Sequence, residues 1–368
     1  MVVAPYPRAP TATRPKLSEI TTTKAPFMRI GTCRRAVIAV LSAGLALSAC
    51  DAGQESGENG ADDAATLSDE VTVMATTSIL GDVTAQVLGE DGAVEVIIPP
   101  GSDPHGYEAS PRDAAMLREA DLVVANGLQL EENLASALAA AEQDGARVLE
   151  VAPELDPIAF EDGAHDHDHG DDGDDVAHDH DGHDHGPADP HVWHDPLRMI
   201  DAVHLVAAEL AELIGAQQAD ELQARADAYE QQLREVHTDV EAILAEIPAD
   251  NRALITNHDS FNYLAARYDL EVLGTVIPGS STDAATSPAE FAELITTLEQ
   301  AQVPAVFSEN VEADRLSEQL AGEVLDRADL EVEVVQLYSD ALGEPGSPGE
   351  TYLGMLRENA ERIAAALG

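Results

Sequence analysis

The chain has 368 residues, 44% of them hydrophobic, which is enough to bury the cores of two ordinary domains or of one large α/β unit. Its 70 acidic and 19 basic residues give a formal net charge of −51, which would repel nucleic-acid phosphates and anionic membrane surfaces. The composition therefore argues against a nucleic-acid-binding protein and indicates cations as the natural partners.

The N-terminal region has the pattern of an export signal. Residues 28–50 read MRIGTCRRAVIAVLSAGLALSAC, a basic start followed by an apolar run too short to span a bilayer as a mature helix. The run ends in LSAC, which resembles the lipobox of bacterial lipoproteins, where the cysteine carries the lipid. We expect Met28 to be the true start, residues 1–49 to be the signal region and Cys50 to be lipidated. An ordinary secretory signal with a chance cysteine is the alternative.

Removal of the signal also removes Cys33, and lipidation uses Cys50, so the mature domain would contain neither a disulfide nor a thiolate ligand. Any metal site must then use His, Asp and Glu. Residues 50–70 are rich in Gly, Ala and acidic residues and have no apolar periodicity, which predicts a disordered tether. We therefore expect an extracytoplasmic domain that a lipid anchors to the cell membrane.

After the tether, short β-branched runs alternate with amphipathic helical stretches, as in parallel βαβ units. The strands predicted in the first half are 71–77, 93–99, 121–126 and 146–152. The strands predicted in the second half are 253–257, 271–277, 305–309 and 332–338. We interpret the two sets as two similar α/β lobes, each with four strands, an N-terminal lobe over 71–215 and a C-terminal lobe over 249–368.

A single long helix is predicted between the lobes, over 216–248. Its apolar residues are spaced by three and four and end before Pro248, and they are Leu222, Ala226, Tyr229, Leu233, Val236, Val240, Ile243 and Ile247. A coiled-coil dimer is the alternative, but the stripe is weakly apolar and lies between two α/β blocks. We expect a monomer in which this helix joins the two lobes.

Four potential metal ligands lie in loops of both halves. His105 and His258 each follow a predicted strand, Asp340 follows the last strand, and His191 precedes a helix that begins near Pro196. In open parallel sheets, ligands bind beyond the carboxyl ends of the strands, where a cleft would gather such residues. Three neutral imidazoles and one carboxylate form a closed tetrahedral set that suits zinc.

Four motifs occur in order from about residue 71 to the C-terminus: PPGSDPHGYEASPRD, DPHVWHDP, TNHDSFNYLAARY, and LYSDALG followed by GETYLGMLRENAERIAAAL. Together they resemble the signatures of the zinc/manganese solute-binding lipoproteins of ABC importers. The resemblance implies two (β/α)4 lobes joined by a backbone helix, with a metal in the interlobe cleft held by His105, His191, His258 and Asp340. It also implies that the chain is not an enzyme and that it delivers its metal to a permease and its ATPase.

Two positions depart from the family pattern. His194 stands where relatives often have an apolar residue, and we consider it a surface residue, a support of the site or, less favoured, an alternative ligand. Asn262 stands where relatives often have Gly, which leaves the ligand set unchanged. Glu309, at the end of a predicted strand, is either a carboxylate that orients a ligand imidazole or an unrelated loop residue.

The metal is expected to be Zn²⁺, because manganese-selective relatives place a carboxylate where this chain has His258, and imidazole favours Zn²⁺ over Mn²⁺. Mn²⁺ is the alternative cargo. Seven further histidines alternate with Asp and Gly within residues 161–187, which indicates a loop that collects Zn²⁺ weakly, or else a solvated acidic insertion. These histidines are His165, His167, His169, His178, His180, His183 and His185.

Other functions remain as alternatives. A zinc-buffering protein or a surface adhesin could use the same fold. A hydrolase is disfavoured because the chain contains neither an H-E-x-x-H nor a G-x-S-x-G motif, and because a closed four-ligand site leaves no position for an activated water.

Overall fold

The structure is a computed structural model that describes residues 71–159, 188–279, 281–282, 284–309 and 315–368. Several sequence-based expectations fall outside these residues. They are the signal region, Cys50, the tether over 50–70 and the histidine-rich segment 161–187 with its seven histidines.

The first half forms a four-stranded parallel sheet with strand order β2-β1-β3-β4. Its strands are β1 (Val71–Ala75), β2 (Gly92–Val96), β3 (Leu122–Ala125) and β4 (Arg147–Glu150). Its helices are α1 (Ser78–Leu88), α2 (Pro111–Glu119) and α3 (Ala135–Asp144). Helices cover such parallel sheets, and β3 is accordingly buried along its whole length.

The second half repeats this arrangement with strand order β6-β5-β7-β8, again all parallel. Its strands are β5 (Ala253–Thr256), β6 (Glu271–Thr275), β7 (Ala305–Glu309) and β8 (Glu333–Leu337). Its helices are α6 (Asn262–Tyr268), α7 (Pro288–Ala301), α8 (Arg315–Ala328) and α9 (Tyr352–Leu367). The predicted two-lobed α/β fold is confirmed, and all eight predicted strands are present with ends that differ by at most three residues.

Two helices lie between the sheets in sequence, α4 (Arg198–Ile214) and α5 (Ala216–Leu244). The 29 residues of α5 give a helix about 43 Å long at about 1.5 Å per residue. Its buried side chains belong to one continuous apolar cluster that also contains residues of both sheets and of α1, α4 and α9. The apolar stripe of α5 is therefore used inside the molecule, as expected for a helix that joins two lobes.

The helix ends at Leu244, four residues before its predicted end at 248, so the buried Ile247 lies beyond it. Within the helix, the stripe differs from the predicted one at a single position. Leu244 is buried, whereas Ile243 is only partly buried and packs at the edge of the cluster. Within the residues that the structure describes, none of the helices combines the length and the apolar character needed to cross a bilayer.

Candidate metal centre

His105 lies in the loop that leaves β2, at the carboxyl end of the first sheet. The backbone N–H of His105 donates to Asp103 Oδ1 at 2.9 Å, a local turn that the sequence Asp-Pro-His encodes. Its carbonyl oxygen accepts from the side chain of Asn133 at 3.0 Å. These two hydrogen bonds fix the backbone on both sides of the His105 Cα and so limit the positions that its ring can take.

His191 lies in a second Asp-Pro-His turn, just before α4. Its backbone N–H donates to Asp189 Oδ1 at 2.9 Å, and its Nδ1 lies 2.7 Å from the same oxygen. A carboxylate on Nδ1 fixes the ring tautomer and leaves Nε2, the atom that a metal could take, facing the other imidazoles. Sequence analysis missed this role of Asp189, and the repeated Asp-Pro-His motif is the signal that could have revealed it.

His258 follows β5, and Glu309 ends the neighbouring strand β7, so the parallel pairing brings them to the same edge of the sheet. Glu309 Oε1 contacts His258 Nδ1 and also accepts the backbone N–H of His258 at 3.2 Å. Glu309 thus fixes the tautomer and orientation of the His258 ring, as Asp189 does for the His191 ring. Of the two roles considered from the sequence, the contact fits the carboxylate that orients an imidazole.

Asp340 follows β8 and is 1% exposed. Its two carboxylate oxygens are buried and have no hydrogen-bond donor among the described residues. Burying a carboxylate that accepts no hydrogen bond costs folding free energy, and a bound cation would offset that cost.

The three imidazoles and Asp340 meet at one point between the two sheets. His191 Nε2 lies 3.4 Å from His105 Nε2 and 3.2 Å from His258 Nε2. The oxygens of Asp340 lie 3.6 Å from His105 Nε2, 3.8 Å from His191 Nε2 and 3.4 Å from His258 Nε2. Two metal–ligand bonds of about 2.1 Å at a tetrahedral angle separate the ligand atoms by about 3.4 Å. These separations fit a four-coordinate ion.

Burial and the neighbouring carboxylates shift the pKa values of the four side chains in the cluster. Burial, and then the neighbouring rings of His191 and His258, lower the pKa of His105 to about 2, and burial also lowers the pKa of His191. Burial favours the neutral form of His258 too, but Glu309 and Asp340 outweigh it and raise the pKa of His258 to about 10. Burial raises the pKa of Asp340 well above its usual value. Two of the rings are therefore held in the neutral form that binds metal.

His194 lies close to the cluster but outside it. Its ring is fully buried, so it is not a surface residue, and it packs against Phe261 with ring centroids 4.4 Å apart. The neighbouring Trp193 donates from Nε1 to the carbonyl of Ser339 at 2.8 Å, which ties the His191 segment to the Asp340 segment. The position of His194 supports packing of this segment rather than ligation.

Known proteins match this fold and these sequence motifs. Residues 73–366 match the family described as zinc-uptake complex component A, periplasmic. The manganese-binding lipoprotein MntA of Bacillus subtilis (strain 168) is 32% identical over 335 residues, which are 89% of this chain and 97% of that protein. The zinc-binding protein TroA of Treponema pallidum (strain Nichols) is 30% identical over 301 residues, which are 80% of this chain and 88% of that protein.

A solved structure agrees with the sequence comparison. The periplasmic zinc-binding protein TroA from Treponema pallidum superposes with a TM-score of 0.70 at 29% identity, covering 81% of this chain and 99% of that one. The family match spans both sheets and all four motifs. The chain therefore belongs to the family of the periplasmic component A of zinc-uptake complexes, whose members are metal-binding solute-binding proteins of ABC importers.

Proposed function

We propose that this chain captures Zn²⁺ outside the cytoplasm with His105, His191, His258 and Asp340 as its four ligands. The observation that carries the proposal is the convergence of these side chains, from separate loops of both sheets, on one point. The two measured separations between imidazole nitrogens are 3.2 and 3.4 Å, and one or other oxygen of Asp340 lies 3.4 to 3.8 Å from each imidazole, distances compatible with a four-coordinate ion. The oxygens of Asp340 accept no hydrogen bond from the described residues, and a bound divalent cation would favour the ionised carboxylate despite its raised pKa.

The donor set supports Zn²⁺ as the cargo. Three nitrogen donors and one carboxylate match the preference of Zn²⁺, whereas Mn²⁺ prefers sites dominated by oxygen. Asp189 and Glu309 occupy the Nδ1 atoms of His191 and His258, so both rings direct Nε2 to the centre. Carboxylate partners of this kind raise the basicity of the imidazole ligands.

Mn²⁺ is the second candidate cargo. Both oxygens of Asp340 lie within 3.8 Å of a ligand nitrogen, and a carboxylate that binds through both would make the ion five-coordinate. Coordination above four and an added oxygen donor both favour Mn²⁺. The relative MntA of Bacillus subtilis is described as manganese-binding.

Calorimetric titration of the metal-free chain with Zn²⁺ and with Mn²⁺ tests the cargo, and native mass spectrometry gives the stoichiometry. We expect one tight site that prefers Zn²⁺. His258→Ala should weaken that site by more than the 10- to 100-fold (about 1.4–2.8 kcal/mol) typical of losing an outer-sphere partner. His237→Ala is the control, because it also removes an imidazole, but from a position on α5 where the ring contacts Tyr268 and is not one of the four proposed ligands.

The outcomes separate the possibilities. Tighter binding of Mn²⁺ would favour the second candidate, and unchanged affinity in His258→Ala would refute the ligand assignment. We propose that the chain works as a monomer anchored by lipid on Cys50 and that it delivers its ion to a permease and ATPase. Zinc uptake that persists without this chain would instead favour a buffering or adhesive role.

We propose no catalytic activity for this centre. The family members found here are transport components, and four protein ligands leave a tetrahedral ion without an open position for water. Turnover of an ester or lactam by the zinc-loaded chain, lost in His258→Ala, would overturn this part of the proposal.

A further inference from the structure

A second set of metal-ligating side chains lies on the α4–α5 pair, away from the cluster between the sheets. His204 projects from α4, and Asp227 and Glu230 project from α5 at positions three residues apart, which share one helix face. One ligand atom from each residue lies within 4.8 Å of the others. Both elements are long helices, so the three side chains have a rigid scaffold.

Hydrogen bonds set the orientation of the His204 ring. Its Nε2 lies 2.8 Å from Glu230 Oε2, and its Nδ1 lies 3.4 Å from Gln223 Nε2. The Gln223 amide nitrogen, which also donates to Asp227 Oδ1 at 2.8 Å, can only donate. Nδ1 therefore accepts, and the ring proton lies on Nε2 between His204 and Glu230, where a metal ion would replace it.

Arg234 fixes the orientation of the Glu230 carboxylate. It binds Oε1 through Nε at 2.9 Å and through Nη2 at 2.7 Å, one turn further along α5. The second oxygen, Oε2, remains turned toward His204. An outer partner that fixes a ligand carboxylate in this way is a usual feature of metal sites.

We propose that His204, Asp227 and Glu230 form a second, exchangeable Zn²⁺ site, in which water completes the coordination. His204 would bind through Nε2, and the two carboxylates would each supply an oxygen. The ligand atoms of His204 and Glu230 would separate from 2.8 Å to about 3.4 Å, a movement that side-chain rotation alone can provide. One imidazole and two carboxylates are common ligands of zinc.

Charge and exposure determine the character of this site. Asp227 and Glu230 place two negative charges on one helix face and Arg234 balances only one of them, in a chain with a formal net charge of −51, so a divalent cation would be attracted there. The side chains of His204 and Glu230 are 34% and 26% exposed. Water therefore reaches the ion, and this site should bind more weakly and exchange faster than the buried cluster.

Covalent labelling of histidines with diethyl pyrocarbonate in the full chain, read by peptide mass spectrometry during a Zn²⁺ titration, tests the inference. We expect labelling of His204 to fall at least fivefold, at Zn²⁺ concentrations above those that fill the buried cluster. Asp227→Asn and Glu230→Gln should each abolish this protection. Glu235→Gln removes the same charge from an exposed position on α5 and should retain it.

His237 on the same helix serves as an internal reference for any general change in reactivity. Unchanged labelling of His204 at saturating Zn²⁺ would overturn the inference, and so would protection that survives in both Asp227→Asn and Glu230→Gln. The inference does not depend on the proposed function. One tight Zn²⁺ without protection of His204 would refute only this second site, and protection without a tight site would refute only the first.

Discussion

Asp189 connects the two halves of the molecule through single side-chain contacts. Its Oδ1 holds His191, and its Oδ2 accepts from Asn262 Nδ2 at 3.1 Å. Its backbone carbonyl accepts from the hydroxyl of Tyr263 at 2.7 Å. Asn262 and Tyr263 begin α6 in the second half, so the orientation of His191, a proposed ligand in the first half, depends on a helix of the second.

Asn262→Ala should weaken Zn²⁺ binding about two- to twelvefold, because one hydrogen bond contributes about 0.5–1.5 kcal/mol. Asn262→Asp should weaken it further, because it places a second carboxylate against Asp189. Calorimetry of the metal-free variants measures both effects. Gln319→Ala, an exposed change on α8, is the control and should leave the affinity unchanged. Equal affinities for all three variants would show that the Asn262 contact does not position His191.

The sequence predicted the four converging side chains, and it offered Glu309 as a carboxylate that orients an imidazole, but it did not reveal Asp189 and Asn262 behind His191. His105, His258 and Asp340 follow strands, and the carboxyl ends of parallel strands mark a binding edge, so their convergence follows from topology. The contact between Asn262 and Asp189 joins residues 73 positions apart and depends on how the halves pack. No local spacing encodes such a contact, and the sequence reading assigned Asn262 no effect on the ligand set.

Helix α5 is the element that both halves share. Its position could be predicted because apolar residues at spacings of three and four continue from Leu222 to Ile247, about seven turns, without a break. The end of its buried stripe could not be predicted, since Ile243 and Leu244 follow Val240 by three and four residues. Both spacings suit a helix, and only the neighbouring elements decide that Leu244 is buried.

Leu233→Ala in the middle of α5 should lower the free energy of unfolding of the metal-free chain by about 2–5 kcal/mol, because it leaves a cavity in the shared core. Chemical denaturation followed by circular dichroism measures the change. Glu235→Ala, two residues away on the exposed face, should change stability by no more than about 0.5 kcal/mol. Similar losses in both variants would contradict the assignment of α5 as a core element.

At the scale of the whole molecule, the histidine-rich segment leaves and re-enters the fold at adjacent points. Ala159 and Ala188, on either side of it, pair in an antiparallel bridge. Deletion of residues 161–187 would leave only Phe160 between these two residues, fewer than the two residues of the tightest hairpin loop, so a short Gly-Ser linker must replace the segment for the chain to close with little strain. With that linker, the segment is separable from the cluster between the sheets.

Deletion of residues 161–187 with insertion of this linker should reduce the total Zn²⁺ bound while one tight site keeps its affinity. The expectation follows from the hypothesis that the seven histidines of the segment are additional weak ligands, whereas His191 lies beyond the bridge in the folded core. Native mass spectrometry counts the ions, and competition with a chromophoric chelator measures the tight site. Loss of the tight site in the deletion variant would show that the segment contributes a ligand.

The fluorescence of Trp193 should report the binding of an ion between the two halves. It is the only tryptophan in the chain, its ring lies 5.3 Å from that of His191, and its Nε1 donates to Ser339 beside Asp340. An ion that binds His191 and Asp340 changes the electric field at the indole from both sides. Zn²⁺ should therefore shift the emission maximum or intensity of the full chain with a one-to-one end point, and His258→Ala should lose this response at the same concentration. An identical response in that variant would mean that Trp193 detects an ion bound elsewhere. The result would then contradict the binding of one cation by residues of both halves.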